Sequence, residues 1–371
     1  MKVLYVDSCP DVAGGQRSLI ALLSRFDNSI DYVLLISRFN KVFRNELVAN
    51  GVDFQRVKIV PFPFLKNGLI NGLVLIFSIL YWSYVSKSKI VHCNTFFDGL
   101  FGGFSARLFG KKVIFRARCG IEMSNHGFLD KFIYFFSNKV LANSFYVMQT
   151  FQRIDSGLKK VEVVYNPLDL KFQRTVVAFK NPSPFLIGVV GTITEVKNQL
   201  ELLKAVKILS DRKVDLTVKF IGAPRSSAGD ISYLNLLKDY ILTNDLSRRV
   251  VFTGFVSDVR SEMKDLGAVC VPSDREPLGR TIFESQLYGL PVICSDSGGN
   301  CELVKHGETG YVYKLGDITD LADKILECME AGDRNFEIIQ ASKDQLANTF
   351  SPQQTIEKEL AIYSKIVSGE Y

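Results

Sequence analysis

Along the first half of the chain, short apolar runs alternate with longer stretches whose apolar residues return at helical spacing. Val3-Leu4-Tyr5-Val6, Tyr32 to Ile36, Lys89-Ile90-Val91-His92, Val113-Ile114-Phe115 and Lys139 to Ala142 are short and almost continuously apolar, which predicts strands buried on both faces. Helical stretches between them make a βαβα series, and that order argues a parallel sheet covered on both sides. Two proline-bearing segments, Asn166-Pro167-Leu168-Asp169 and Lys180-Asn181-Pro182-Ser183-Pro184, bracket a region poor in periodicity. The pattern restarts beyond it with Phe185 to Val190, Leu216 to Ile221, Val250 to Thr253, Ala268 to Val271 and Pro291 to Cys294. We therefore expect an α/β protein of two doubly wound, Rossmann-like domains, residues 1–170 and 185–350, joined by a linker at 171–184 and followed by a helical run at 351–371. Ligands of such sheets bind beyond the carboxyl ends of the strands, so two domains facing each other enclose a cleft.

Leu69 to Val85 stands apart from this alternation. It is strongly apolar and aromatic, with Phe77, Tyr81, Trp82 and Tyr84, yet Asn71, Gly72, Ser78 and Ser83 interrupt it and Lys87 and Lys89 follow. At the short limit for a membrane span, the segment leaves three readings open: a span, a buried helix, or a helix partly exposed at a membrane interface.

The segment richest in candidate chemistry is Glu276-Pro277-Leu278-Gly279-Arg280-Thr281-Ile282-Phe283-Glu284, which runs on to Gly289-Leu290-Pro291. Pro277 and Gly279 disfavour helix before about residue 280, while Gly289 and Pro291 stop it, so the spacing predicts a loop and then a short helix. Glu276 falls in the approach loop and Glu284 about one turn into the helix. Backbone N–H groups of Leu278, Gly279 and Arg280 then point out of a helix N-terminus, where partial positive charge suits a phosphate. A carboxylate offers two acceptor oxygens, matching the paired hydroxyls of a ribose or sugar ring. The plain alternative is two ordinary surface glutamates beside a helix start.

Composition narrows the partners. The chain has 371 residues, more than one core usually supports, with 47% hydrophobic and 23% charged residues, as in an ordinary globular protein. A net charge of +6 suits an anionic substrate or an acidic membrane face, and the basic residues are too scattered for a nucleic-acid binder. The seven cysteines lie far apart without a Cys-x-x-Cys pair, so neither a disulfide framework nor a zinc site is indicated, and a reducing, cytoplasmic setting is expected. Met1 to Cys9 reads as a first buried strand instead of a signal peptide.

Further candidates sit at strand ends. Gly14-Gly15 follows the first strand and opens a helix, where glycines let backbone N–H groups approach a ligand or merely relieve a tight turn. Gly191-Thr192-Ile193-Thr194-Glu195-Val196-Lys197-Asn198 follows the first strand of the second half; Lys197 is either a phosphate-neutralising cation or a solvated loop lysine. Gly254-Phe255-Val256 follows another strand, and its plain reading is a strand end with a packed Phe. In the first half His92 and Asn94 end one strand, Arg116 and Arg118 follow the next, and Asn143-Ser144 the one after. His126 and His306 show no partner pattern and receive no role.

The block Glu276 to Val312, including Ser297-Gly298-Gly299-Asn300-Cys301-Glu302-Leu303-Val304 and His306-Gly307-Glu308-Thr309-Gly310-Tyr311, resembles the donor-site region of group 1 glycosyltransferases, the retaining family 4 of the GT-B fold. Its hallmark is this Glu-x7-Glu spacing. The resemblance implies two Rossmann-like domains facing across a cleft, with residues 351–371 packing back on the first. It implies a nucleotide-diphosphate sugar, UDP- or GDP-linked, as donor, and no metal or other cofactor. Lys197, Glu276 and His92 become the catalytic candidates. Glu284 would hold the ribose and Glu276 the donor sugar, with Leu278, Gly279, Arg280, Thr281, Gly191, Thr192, Gly14 and Gly15 around the donor and Phe255-Val256 at the base. Arg118, Asn94 and Asn143 would meet the acceptor, a saccharide or lipid-linked saccharide of bacterial surface polysaccharide. The chain departs from the family pattern at Thr192, where a charged Arg is usual. Two other readings stay open: a GT-B protein that binds without catalysing, and a sugar-nucleotide epimerase or dehydrogenase with two Rossmann-like halves.

Overall fold

The computed structural model describes residues 1–12, 14–26, 30–37, 40–52, 57–62, 68–120, 127–167 and 182–370, with 57–62 and 68 described by backbone alone. The expected linker at 171–184 and His126 lie largely or wholly outside these residues. The chain divides into two compact units, Met1–Leu168 with Phe350–Tyr371, and Asp169–Thr349.

The first unit is built on strands β1 (Lys2–Asp7), β2 (Asp31–Ser37), β3 (Val57–Phe62), β4 (Ile90–Cys93), β5 (Lys112–Ala117), β6 (Lys139–Ala142) and β7 (Val161–Val163), in the sheet order β3-β2-β1-β4-β5-β6-β7. Every pairing is parallel. All four residues of β4 and of β6 are buried, as the unbroken apolar runs predict. The sequence reading omitted β3 and β7. Both are edge strands, one carrying Pro61 and the other only three residues long, so neither shows a clear apolar run.

Helices cover the two faces. α1 (Gly14–Leu23) and α2 (Lys41–Ala49) pack on one side, where Leu19, Leu22, Phe43 and Leu47 join the core. α3 (Gly68–Val85), α4 (Phe104–Leu108), α5 (Gly127–Phe136) and α6 (Phe145–Thr150) lie over the other, contributing Leu75, Ile79, Ala106, Ile133 and Val147. α3 is a partly exposed surface helix: Leu75 and Ile79 are buried, while Leu73, Phe77, Tyr81 and Tyr84 face outward. No described helix is long and apolar enough to cross a membrane.

The second unit repeats the plan. β8 (Phe185–Val190), α7 (Gln199–Asp211), β9 (Leu216–Ile221), α8 (Ala228–Thr243), β10 (Val250–Gly254), α9 (Val259–Met263), β11 (Ala268–Val271), α10 (Arg280–Tyr288), β12 (Val292–Ser295), α11 (Asn300–Leu303), β13 (Tyr311–Tyr313), α12 (Ile318–Glu330) and α13 (Arg334–Thr349) follow in turn. The sheet order is β10-β9-β8-β11-β12-β13, again parallel. Three-residue β13, at one edge, was not expected from the sequence.

α14 (Pro352–Ser368) ends the chain and belongs to the first unit. Ser351 caps it by accepting from the Gln354 N–H, Pro352 suits its first turn, and Gly369, at φ 86°, closes it. Ile356, Ile362, Tyr363 and Ile366 are buried in the first unit's core.

Candidate active site

Each sheet reverses its strand order once, between β8 and β11 in the second unit and between β1 and β4 in the first. Such switch points are where loops diverge and leave a crevice beyond the strand ends. The Glu-x7-Glu segment and Lys197 both emerge at the switch point of the second unit.

Lys197 stands on a single 3-10 turn, Glu195–Lys197, that follows β8. Glu276 stands on the loop that follows β11. The Lys197 ammonium donates to Glu276 Oε2 at 2.5 Å, with the side chains 28% and 14% exposed. Two backbone-directed bonds bring the segments together: Asp274 N–H donates to Val196 C=O at 2.9 Å, and Thr281 Oγ1 donates to Val190 C=O at 3.4 Å. α10 then begins at Arg280 behind a glycine cap, Gly279, which offers its first turn no side-chain acceptor. Arg280 Nη2 donates to Glu284 Oε1 at 2.7 Å, so each motif carboxylate is matched by one cation. Leu278 is buried.

Gly191 lies beside Lys197 at φ 141°. A Cβ on Gly222, at the end of β9, would collide with the Gly191 carbonyl, so the neighbouring loop approaches as closely as backbone permits. Gly222 in turn bridges Gly254, after which Phe255 is 83% exposed and Val256 half-buried. Phe255 is thus no packed strand end. The loops at Gly191, Gly222 and Gly254 line up along the same edge of the sheet. Thr192 offers its carbonyl to Gln199 Nε2 at 3.0 Å.

Residues that the sequence reading grouped in the donor block without individual roles hold Glu276 in place. Gly299 N–H donates to the Glu276 carbonyl at 2.7 Å, and Arg275 N–H donates to Ser297 Oγ at 2.8 Å. Ser297 Oγ donates to Asp274 Oδ1 at 3.1 Å. Gly298 has φ 67°, and a Cβ there would strike the Glu276 backbone. The Gly-Gly pair therefore lets one loop lie flat on the other.

In the first unit, the matching switch point gathers polar groups. Asp7, at the end of β1, accepts from Gln16 Nε2 at 3.1 and 3.0 Å and from Asn94 Nδ2 at 2.5 Å. Arg118 Nη1 donates to Asn94 Oδ1 at 2.6 Å and to its carbonyl at 2.8 Å. Gly15 leaves room for this arginine, since a Cβ there would stand 3.4 Å from Arg118 Cδ. Gly14 and Gly15 start α1. Asp98 accepts from Ser8 N–H at 3.1 Å and Thr95 N–H at 3.0 Å. Burial, with Asp7 adding repulsion, pushes the Asp98 carboxyl up to about 7. Asp7 is also raised, first by burial, with its Asn94 and Gln16 hydrogen bonds opposing. Asn143 is buried one strand away, its Oδ1 without a hydrogen-bond partner among the described residues. The sequence reading gives Asp7, Gln16 and Asp98 no role in the site; a lone carboxylate closing an otherwise apolar strand is the signal available.

His92 does not join this group, which corrects the reading of it as a strand-end residue lining the site. Its ring is 1% exposed, stacks on Tyr5 at 4.8 Å and shares a 2.6 Å hydrogen bond between Nδ1 and the Tyr363 hydroxyl. It points to the face covered by α14, where Tyr363 donates to Glu359 and Glu359 pairs with buried Arg116. Burial, then the positive charges of Arg116 and Arg118, hold the imidazole well below its usual range, so it is neutral. Position along the strand explains the difference: residues two apart share a face, but Asn94 lies past the strand end and meets Asp7 at the crevice, whereas His92 is still inside the sheet against Tyr5. Exposed His306 accepts from Val312 N–H at 3.3 Å.

Residues 12–172 match the family described as Glycosyltransferase Family 4, and residues 173–345 the one described as Glycosyl transferases group 1. The chain belongs to the group 1 glycosyltransferases of family 4. This glycosyltransferase-family chain is 26% identical to spore coat protein SA of Bacillus subtilis (strain 168) over 61% of its own length and 65% of that relative's, just under two thirds. It is 22% identical to the UDP-Gal:alpha-D-GlcNAc-diphosphoundecaprenol alpha-1,3-galactosyltransferase of Escherichia coli across 99% of the chain and 97% of the relative. Anabaena Alr3699/HepE, solved in complex with UDP-glucose, is similar at a TM-score of 0.82 and 20% identity, covering 98% of this chain and 100% of that one. At that identity the likeness shows the fold, GT-B with its two Rossmann-like units.

Proposed function

We propose that the chain transfers a sugar from a UDP-sugar to a lipid-linked saccharide, with retention of anomeric configuration, in the assembly of a bacterial surface polysaccharide. The observation that carries this reading is the Lys197–Glu276 and Arg280–Glu284 pairing at the head of α10. Two cations and two carboxylates in adjoining segments are the groups that a diphosphate between two diols would call for, which supports the reading. The names of the relatives, one for UDP-Gal and a diphosphoundecaprenol-linked sugar and one structure holding UDP-glucose, support the choice of UDP and of a lipid-linked acceptor.

In this mechanism the bond from the sugar's anomeric carbon to the diphosphate oxygen breaks, and an acceptor hydroxyl bonds that carbon on the same face. The acceptor proton ends on the departing diphosphate. Positive charge grows on the sugar ring and negative charge on the leaving group. Lys197, Arg280 and the first backbone N–H groups of α10 stabilise the negative charge, and Glu276 exchanges its ammonium partner for donor-sugar hydroxyls. Glu284 takes the ribose, and Phe255 with Val256 borders the base. The Arg118–Asn94 cluster receives the acceptor; His92, neutral and enclosed, supports the strands instead of touching substrate. Donor and acceptor meet on the cytoplasmic side, where nucleotide sugars are made.

Measuring UDP release and sugar transfer with Glu276→Ala tests the reading. We expect at least ~10²-fold less transfer, a few kcal/mol of transition-state stabilisation, with the melting temperature retained. Near-normal transfer would remove Glu276 from the reaction. A product of inverted configuration, read by NMR, would overturn retention.

A further inference from the structure

α3 carries an outward stripe: Leu73, Phe77, Tyr81 and Tyr84 are 50%, 69%, 60% and 81% exposed. Their spacing of four, four and three residues sets them along one side of the helix. The apolar surface continues onto neighbouring elements. α3 packs on the π-helical turn Asp98–Gly103, where Gly72 meets Phe101 and Gly102 meets Ile79. The turn leads into α4, whose Phe104 contacts Phe132 and Phe136 of α5 with centroids 5.6 and 5.0 Å apart. Phe109, just past α4, is 65% exposed and Phe135 of α5 is 71% exposed. An apolar surface of this kind on a water-soluble fold marks a contact face.

Charge identifies the partner. Lys87 and Lys89 follow α3, Arg107 lies on α4 and Lys131 on α5, all exposed, and Lys111 reaches Ser88 C=O at 3.0 Å beside the end of α3. Among the described residues from 68 to 136, the only carboxylates are Asp98 and Asp130, both buried. A second copy of the chain would bring these cations against their like, whereas an anionic bilayer surface answers both the charge and the aromatic stripe. We propose that the α3–α4–α5 face rests on an anionic lipid surface, with Phe77 and Tyr81 entering the interface and Lys87, Lys89 and Arg107 meeting headgroups. The proposal deepens the reading of a lipid-linked acceptor, yet it is read by binding and not by turnover.

The test is co-sedimentation of the full chain with phosphatidylglycerol-containing and with pure phosphatidylcholine vesicles, at low and high salt. We expect binding to the anionic vesicles, weakened by salt. Phe77→Ser with Tyr81→Ser, and separately Lys87→Glu with Lys89→Glu, should each lower the partition coefficient at least ~10-fold while the melting temperature and transfer to a water-soluble acceptor analogue stay as in the parent. No binding to anionic vesicles, binding indifferent to both variant pairs, or a concentration-dependent dimer abolished by the same substitutions would overturn it. A chain that binds vesicles but transfers no sugar would instead overturn the activity and leave the docking face standing.

Discussion

We propose that Arg280 supplies the charge that Thr192 lacks. It begins α10, pairs with Glu284 at 2.7 Å and is 25% exposed, so a diphosphate can recruit it from that pair. We expect Arg280→Ala to lower kcat/KM about 10- to 100-fold, roughly 1.4–3 kcal/mol, with Arg280→Lys in between. Thr192→Arg in the Arg280→Ala background should recover part of the loss. Steady-state kinetics of the three variants with a saturating acceptor decides it; an unaffected Arg280→Ala enzyme would leave Lys197 as the sole cation of the site. Asp98 offers a second single-residue test. Its folded-state carboxyl is raised to about 7, above the ordinary unfolded value near 4, so the folded protein binds its proton more tightly. Its contribution to stability is then complete below about pH 4 and is lost as pH rises through about 7. Urea midpoints measured between about pH 5 and 8 should fall more steeply for the parent than for Asp98→Asn. At this scale the sequence showed residue types and spacing, and Glu276, Glu284 and Lys197 were legible as candidates on that basis. It did not show where the strand ends: His92 and Asn94 differ by two residues, and only the packed sheet separates the one enclosed within it from the one past its end, bonded to Asp7.

At the scale of elements, α14 is held by a polar group buried beneath it as well as by its apolar face. Glu359 pairs with Arg116 and accepts from Tyr363 at 2.5 Å, and the Tyr5 and Tyr363 hydroxyls lie 2.6 Å apart. Arg116 and Glu359 are 3% and 0% exposed, so deleting one leaves an uncompensated buried charge. Glu359→Ala should therefore cost about 3–5 kcal/mol, whereas Glu359→Gln, which keeps hydrogen-bonding capacity, should cost less. Equal denaturation midpoints for Glu359→Ala and the parent would show that α14 docks by its apolar face alone. Helix α14 itself was readable, with Ser351, Pro352 and Gly369 marking its ends and apolar residues at helical spacing between them. That it packs back on the first unit is what the family resemblance implied, and α14 belongs to that unit; its buried ionic partner was not readable, because Glu359 and Arg116 are separated by 243 positions. The same limit hid β3, β7 and β13. Edge strands are specified mostly by the neighbour they pair with, and short ones carry too few residues for a period to show.

For the whole molecule, a ligand that binds only the folded chain must stabilise it by mass action. UDP or its sugar at about 100 times Kd should add about 2.7 kcal/mol and raise the melting temperature. Hydrogen exchange should then slow at residues 191–198 and 276–284 before it slows elsewhere in the second unit, since those segments carry Lys197, Glu276 and Glu284. A shift with GDP-sugars in place of UDP-sugars would reassign the donor, and protection confined to the first unit would move the nucleotide site. The chain's apolar runs, glycines and prolines determined by themselves that it folds as two doubly wound halves, because strand burial and helix ends are dictated within about a dozen neighbouring residues. The tertiary structure alone decided which charges face one another. Lys197 meets Glu276 across 79 positions only because the sheet reverses its order between β8 and β11, bringing two loops distant in sequence to one strand end.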